Sequence, residues 1–218
     1  MTRDQHEPGE QHRGESEEKH REESEEKRVD MSEFREISAT VVQELGEVFR
    51  RVPLDNIEAA LDALESHQRI FVLGIGREGL GSKAFAMRLT HFGKTVHWGW
   101  DDTTPAVTAD DLFIMPSGPA NIPHLHYIAE QVKKTGATLL VATAVPDGPT
   151  AQLADIVLTV PAHTYGADDP SGLVPTIQAM GSLFEQSLWI FWDVLYLMLV
   201  RRTGAKFDDL VARHRNFE

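Results

Sequence analysis

The sequence predicts an α/β fold built on a central, parallel, five-stranded sheet, and three observations carry that expectation. Short apolar runs that end in glycine or turn residues alternate with segments of helical spacing. The runs are apolar at successive positions instead of every second one, the pattern of strands buried on both faces. Strands joined by crossover helices form an open parallel sheet covered on each side, a three-layer sandwich.

The first thirty residues are a different material. They hold eleven acidic and six basic side chains, almost nothing apolar, and a near-repeat, Glu15-Ser-Glu-Glu-Lys-His and Glu23-Ser-Glu-Glu-Lys-Arg. Such a stretch buries too little to offset its ordering entropy, so residues 1–31 read as a disordered charged tail and 32–218 as one folded domain. Helical spacing starts at Ser32, placed as an N-cap, with Phe34, Ile37, Val41, Val42, Leu45 and Phe49 on one stripe. A second helix after Pro53 carries Ile57, Leu61 and Leu64 and completes an N-terminal helical hairpin.

The period then changes. Arg69-Ile-Phe-Val-Leu-Gly74 reads as a buried strand, and Gly79 to Phe92 returns to helical spacing through Leu80, Ala84, Met87, Leu89 and His91. Further strands are expected at Thr95–Trp98, Asp111–Met115, Thr138–Thr143 and Ile156–Val160, with a helix from about Ile122 to Lys134. A long helix from about Thr176 to Arg202 and a short one from Phe207 to His214 close the chain.

Composition excludes several function classes. The chain carries 34 acidic against 21 basic residues, a net charge of −13, and its folded part has no compact basic stretch, so nucleic acid is not an expected partner. It has no cysteine, which removes disulfides, thiolate zinc sites, iron–sulfur clusters and a catalytic thiol. No apolar run reaches the roughly eighteen residues of a membrane span. The longest, Leu188 to Val200, contains Asp193 and reads as a buried or interface helix. A soluble cytoplasmic protein is the expectation.

Parallel sheets bind ligands beyond the carboxyl ends of their strands, which singles out the loops 74–79, 99–105, 116–121 and 144–149. The first reads Gly74-Ile-Gly-Arg-Glu-Gly79. A dinucleotide site is disfavoured, because two helices precede this strand and the second strand ends in Trp98-Gly-Trp100 with no acidic residue. A ligand-free turn and a helix N-terminus facing a small ligand both stand. Trp98 and Trp100 either wall a sugar pocket or cover the core edge. His124 and His126, two apart, point to different faces of a helix and make no metal site, and Ser117 lacks a triad context.

Five blocks in order carry a family resemblance: Gly74-Ile-Gly-Arg-Glu-Gly, Phe85-Ala-Met-Arg-Leu-Thr-His-Phe-Gly93, Thr104-Pro105, Ile177-Gln-Ala-Met-Gly-Ser-Leu-Phe-Glu-Gln186 and Arg213-His-Arg-Asn-Phe-Glu218. Together they resemble the 6-phospho-3-hexuloisomerases of the sugar isomerase (SIS) domain superfamily. The resemblance implies a SIS-like three-layer α/β fold and a homotetramer, or homodimer, with shared sites. It further implies cofactor-free, metal-independent isomerisation of a sugar or sugar phosphate through an enediol. It makes Glu185 the base and His214 the helper that reaches a neighbouring subunit's site, with His91 a further catalytic candidate. Gly76, Arg77, Glu78, Ser117, Gly118, Asn121 and Arg88 are the substrate-binding candidates. Plainer roles compete: a first-turn dipole partner for Glu185, a surface histidine for His214, a core or interface histidine for His91, and exposed ion pairs for Arg77 and Arg88.

The phosphate grip of that family is altered. Glu78 stands where the first turn has serine, and the second loop, Ser117-Gly118-Pro119-Ala120-Asn121-Ile122, keeps only its opening pair. A carboxylate about 5 Å from a phosphate charge costs on the order of 3 kcal/mol at an effective dielectric near 20. Either Glu78 turns away or pairs with an arginine such as Arg77, or the substrate is not held as a phosphate dianion there. The alternatives to a phosphosugar isomerase are therefore an isomerase of a free or sulfonated sugar and a non-catalytic sugar-binding module. A nucleotide-dependent dehydrogenase is a third and weaker reading.

Overall fold

The computed structural model describes residues 30–217, so the charged tail expected over residues 1–31 lies almost wholly outside the described residues. The chain divides after Thr40 into two compact units, of which the second, Val41–Glu218, holds the whole sheet. The described residues of the first unit form the start of helix α1 (Met31–Arg51), which begins one residue before the expected Ser32. Asp30, not Ser32, caps it: Asp30 Oδ1 accepts the Ser32 N–H at 2.8 Å. From the predicted stripe, Leu45 and Phe49 pack against the core, and Val48 between them is fully buried.

After α2 (Ile57–Ser66) the sheet is laid down as β1 (Arg69–Val72), β2 (Thr95–Trp98), β3 (Leu112–Pro116), β4 (Thr138–Thr143) and β5 (Ile156–Thr159). All neighbours are parallel and the order is β2-β1-β3-β4-β5. Helices α3 (Gly76–Phe92), α4 (Pro123–Thr135), α5 (Ser182–Thr203) and α6 (Phe207–Ala212) complete the chain. The five expected strands are present, each within two residues of its predicted bounds.

Side-chain alternation divides the core into two layers. Ile70, Val72, Leu112, Ile114, Leu140, Ala142 and Leu158 point toward α2, α3 and α5; Phe71, Leu73, Phe113, Met115, Leu139 and Val141 point toward α4. On the first side, Phe85 stacks on Trp192 with centroids 4.7 Å apart, and the Trp192 indole N–H donates to Ser82 Oγ at 3.0 Å. By length and composition α5 is apolar enough to cross a membrane. Here its Leu183, Phe184, Leu188, Phe191, Trp192, Leu195 and Leu199 are instead buried in the core, while Trp189, Ile190, Val194, Leu197 and Met198 remain exposed.

Two helix starts differ from expectation. Helix α3 opens at Gly76, three residues early, because the Gly79 N–H already closes a helical bond on Ile75 O at 2.9 Å. Helix α5 opens at Ser182, not near Thr176, since Glu44 holds residues 176–178 in another conformation. Its carboxylate accepts the Thr176 hydroxyl and the Ile177 N–H, both at 2.7 Å, and the Gln178 amide at 3.0 Å.

At the opposite end of the sheet from the ligand loops, Asp111 is buried and clamps the starts of β1 and β3. It accepts Arg69 Nε at 2.6 Å, Arg69 Nη2 at 2.7 Å and the Thr108 N–H at 2.6 Å. The Arg69 hydrogen bonds hold its carboxyl below the ordinary aspartate range. Asp111→Ala removes the acceptor of both Arg69 hydrogen bonds and of the Thr108 N–H and should lose about 2 kcal/mol in urea unfolding at pH 7. Because the native-state pKa is depressed, the deficit should be fully present above about pH 4 and shrink as the pH falls below that.

Candidate active site at the carboxyl ends of the first and third strands

In the order β2-β1-β3-β4-β5 the chain reverses its direction of travel between β1 and β3, and the loops leaving these two strands lie side by side. The turn after β1 is tight. A Cβ on Gly74 would meet Gly79 Cα at 2.9 Å, and one on Gly79 would meet the Gly74 carbonyl at 2.8 Å, so both positions need glycine.

This turn aims Arg77 outward toward the first turn of α5, where its Nε donates to Glu185 Oε2 at 2.5 Å. The arginine side chain is 60% exposed and the glutamate 19%, so the carboxylate lies at the edge of a cleft and not in the core. That cleft, of about 380 Å³, is lined by Leu45, Arg77, Leu80, Glu185, Gln186, Trp189 and Ile190. Gln186 donates to Gln178 Oε1 at 2.7 Å, which joins the helix to the turn held by Glu44. Burial alone would push the Glu44 carboxyl up; the hydrogen bonds from Thr176, Gln178 and Ile177 outweigh it and hold the group below the ordinary carboxylate range.

Glu78, one residue along α3, points the other way, into the protein. Of the three options left open by the sequence it takes neither of the first two, since it faces the second loop and Arg77 pairs with Glu185 instead. What stands is that an ionised Glu78 does not hold a phosphate dianion there. Its Oε1 accepts the Gly118 N–H at 3.1 Å. A Cβ on Gly118 would stand 2.8 Å from that oxygen, 2.2 Å from Thr164 Oγ1 and 3.1 Å from the Phe184 ring, so glycine is what lets the carboxyl in. The rest of the loop has its own partners: Ser117 N–H donates to Ala142 O, Ala120 N–H to Ser117 O, and Pro119 has no N–H to offer. Two side-chain atoms beside Gly118, Glu78 Oε2 and Ser117 Oγ, are buried without a hydrogen-bond partner among the described residues. Burial pushes the Glu78 carboxyl up to about 7; the Gly118 N–H pulls the opposite way and the Glu185 charge adds to the rise.

The remaining candidates assemble elsewhere. His91, at the far end of α3 about four helical turns or roughly 21 Å from Arg77, lies against His214 with ring centroids 5.0 Å apart. These two, with Arg88, Asp193, Tyr196 and Phe207, line a separate cavity of about 590 Å³. Within one chain, Glu185 and His214 therefore do not meet. Asn121 Nδ2 donates to Gly166 O at 3.1 Å, and Gly76 holds a φ of +54° at the turn. The Trp100 indole donates to Gly74 O at 2.8 Å, and with Trp98 and Lys83 it lines a hollow of about 390 Å³ beside that turn. Among the described residues no group of three or more His, Asp or Glu side chains could hold a metal ion. Glu44 and Thr164 were not singled out from the sequence. No spacing links them to the loops they touch more than forty residues away, although Gln178 and Gln186 stand inside the family-like block 177–186.

The chain is similar to known proteins over most of its length. The SIS domain model matches residues 63–188. The 3-hexulose-6-phosphate isomerase of Mycobacterium gastri is 36% identical over 82% of this chain and 88% of its own length; that of Bacillus subtilis is 32% identical over 83% and 96%. Among solved structures, one of a hypothetical protein superposes with a TM-score of 0.75 at 28% identity, covering 86% of this chain and 98% of the other. A Methanococcus jannaschii protein, whose crystal structure infers a 3-hexulose-6-phosphate isomerase, has a TM-score of 0.69 at 23% identity, covering 85% and 99%.

The buried Glu78 carries a stability consequence. Its native pKa lies above the ordinary 4.5, so the native state holds its proton more tightly than the unfolded chain. That contribution is complete below about pH 4.5 and lost as the pH rises through 7. Glu78→Gln, which never ionises, should therefore gain stability relative to the unchanged protein by on the order of 3 kcal/mol between pH 4.5 and pH 8, read by urea unfolding at both pH values.

Proposed function

The chain belongs to the SIS domain family of sugar isomerases, and we propose that it is a 3-hexulose-6-phosphate isomerase whose base is Glu185. The observation that carries this reading is the Arg77–Glu185 pair, set in an open cleft at the β1–β3 reversal. Moving a carbonyl to the adjacent carbon requires removing a proton from that carbon, passing through an enediol, and returning a proton to the carbon that bore the carbonyl. A carboxylate in a cleft performs both carbon transfers in turn. Arg77 fixes the orientation of one Glu185 oxygen and leaves the other for the substrate, and its guanidinium brings a positive charge to the cleft in which the enediol oxygens would develop negative charge.

The oxygen-bound protons need a second group within hydrogen-bond reach. His214, backed by His91 and Arg88, fills that role from a neighbouring subunit in a homotetramer or homodimer with shared sites, and the exposed apolar face of α5 supplies the contact surface. No cofactor is assigned, and the enzyme is taken to work in the cytoplasm.

A second reading, a sugar-binding module that has given up catalysis, draws support from Glu78 occupying the Gly118 amide that a ligand oxygen would otherwise use. Both readings are tested by solvent-deuterium exchange into a 6-phosphorylated hexulose. Glu185→Gln is expected to lower exchange and turnover together by at least about a hundredfold while the fold, followed by circular dichroism, is kept. An exchange-competent Glu185→Gln protein rejects the assignment. Binding of the sugar by the unchanged protein without any exchange establishes the module.

A further inference from the structure

Resting on the phosphosugar reading, we propose that Glu78 binds the anionic end of the substrate in its protonated form, donating through Oε2 together with the Ser117 hydroxyl, so that ligand binding takes up a proton. Two atoms carry the argument. Glu78 Oε1 is committed to the Gly118 N–H, which leaves Oε2 as the oxygen that bears the proton. That oxygen and Ser117 Oγ flank Gly118, are buried, and lack partners among the described residues. A buried polar atom left unpaired is costly and calls for a partner, which in this proposal the ligand supplies.

The donor count points to the same ligand chemistry. In the turn after β3 the Ser117, Gly118 and Ala120 amides are all engaged within the protein, and Pro119 has none. An anionic oxygen arriving here finds no free N–H from these residues. It finds two O–H donors, one of them a carboxylic acid standing where the family has a serine hydroxyl. A neutral carboxyl supplies what the missing hydroxyl would; an ionised one repels the same ligand.

The neighbours favour the neutral form. From α5, Phe184 contributes only an apolar ring, and Glu185 brings a negative charge that is itself paired with Arg77 on the helix of Glu78. The 116–121 loop has no ionisable group. The 161–166 segment presents Thr164 against Gly118, with His163, its Nδ1 buried and unpartnered among the described residues, as the adjacent titratable side chain. A carboxyl already pushed up to about 7 by burial is driven further by an approaching anion. Through Thr164 the 161–166 segment covers Gly118 on this side.

The test is equilibrium binding of sulfate, which does not titrate in this range, and of a 6-phosphorylated hexulose, which is dianionic above pH 7. For the unchanged protein both affinities should fall about tenfold per pH unit above pH 7. Calorimetry at pH 8 in HEPES and in Tris should report uptake of close to one proton per site. In Glu78→Gln, where the amide keeps a donor and loses the titration, affinity should be flat from pH 7 to 9 and exceed that of the unchanged protein at pH 9 by at least tenfold. A pH-independent affinity with no proton uptake in the unchanged protein, an unaltered slope in Glu78→Gln, or no binding of either probe at pH 6.5 overturns the proposal. Sulfate binding does not involve Glu185 chemistry. Proton-linked sulfate binding in a protein that fails the exchange test therefore sinks the isomerase reading alone, and the reverse result sinks only this one.

Discussion

The parallel pairing of β1 with β3 is the constraint on which the rest of the molecule depends. Because β1 has β2 on one side and β3 on the other, the chain must leave β1 in one direction and return for β3 in the opposite one. The two loops beyond these strands emerge together, and in the gap between them two sets of backbone and side-chain groups can converge on a ligand. Register fixes it further: Val72 pairs with Ile114, and the Leu73 N–H donates to Ile114 O at 3.0 Å, so the Gly74 turn starts level with the last residues of β3. The Asp111 clamp holds that register from the opposite end of the same two strands.

Successive residues of α3 then serve opposite purposes. Arg77 and Glu78 are adjacent, about 100° apart around the helix, and so face different environments. Arg77 reaches the solvent-facing cleft and meets Glu185; Glu78 enters the loop after β3 and meets Gly118. One carboxylate is compensated by a guanidinium and left at a cleft edge, whereas the other is buried with half of its hydrogen-bonding capacity unused. Two acids of the same type thus meet different partners, and burial pushes the Glu78 carboxyl up.

Much of this was legible in the sequence, and what was not has a common cause. The strands could be read because burial on both faces leaves an unbroken apolar run, and the parallel sheet followed from their alternation with helices. Arg77, Glu78 and Gly118 could be named because they sit in turns at strand ends, and Glu185 because the block around it resembles that of a known family. Their pairing could not. Whether Glu78 met Arg77 or the second loop depended on a Gly118 amide forty residues away and on the absence of a Cβ there. The late start of α5 was hidden for the same reason: Glu44 holds residues 176–178 from more than 130 positions earlier, and helical spacing alone carries no trace of it. Ser32 looked like the cap of α1 because the preceding aspartate was counted with the tail.

The separation of Glu185 from the His91–His214 pair bears on how the site is completed. Helices α3 and α5 run side by side in the same direction, Arg77 against Glu185 at one end and Phe92 against Tyr196 toward the other, so no rotation of side chains brings the histidines to the glutamate. An isologous contact whose two-fold axis lies perpendicular to a helix, by contrast, sets the start of that helix in one copy against its end in the other. The exposed residues Trp189, Ile190, Val194, Leu197 and Met198 lie on α5 between the two clusters. A two-fold axis passing near Val194 would lay one copy's Glu185 toward the end of the other copy's α5, where the second cavity opens. In the proposed shared-site arrangement the apolar stripe does more than hold subunits together: its position midway along the helix is what would match the base of one chain to the histidines of the next.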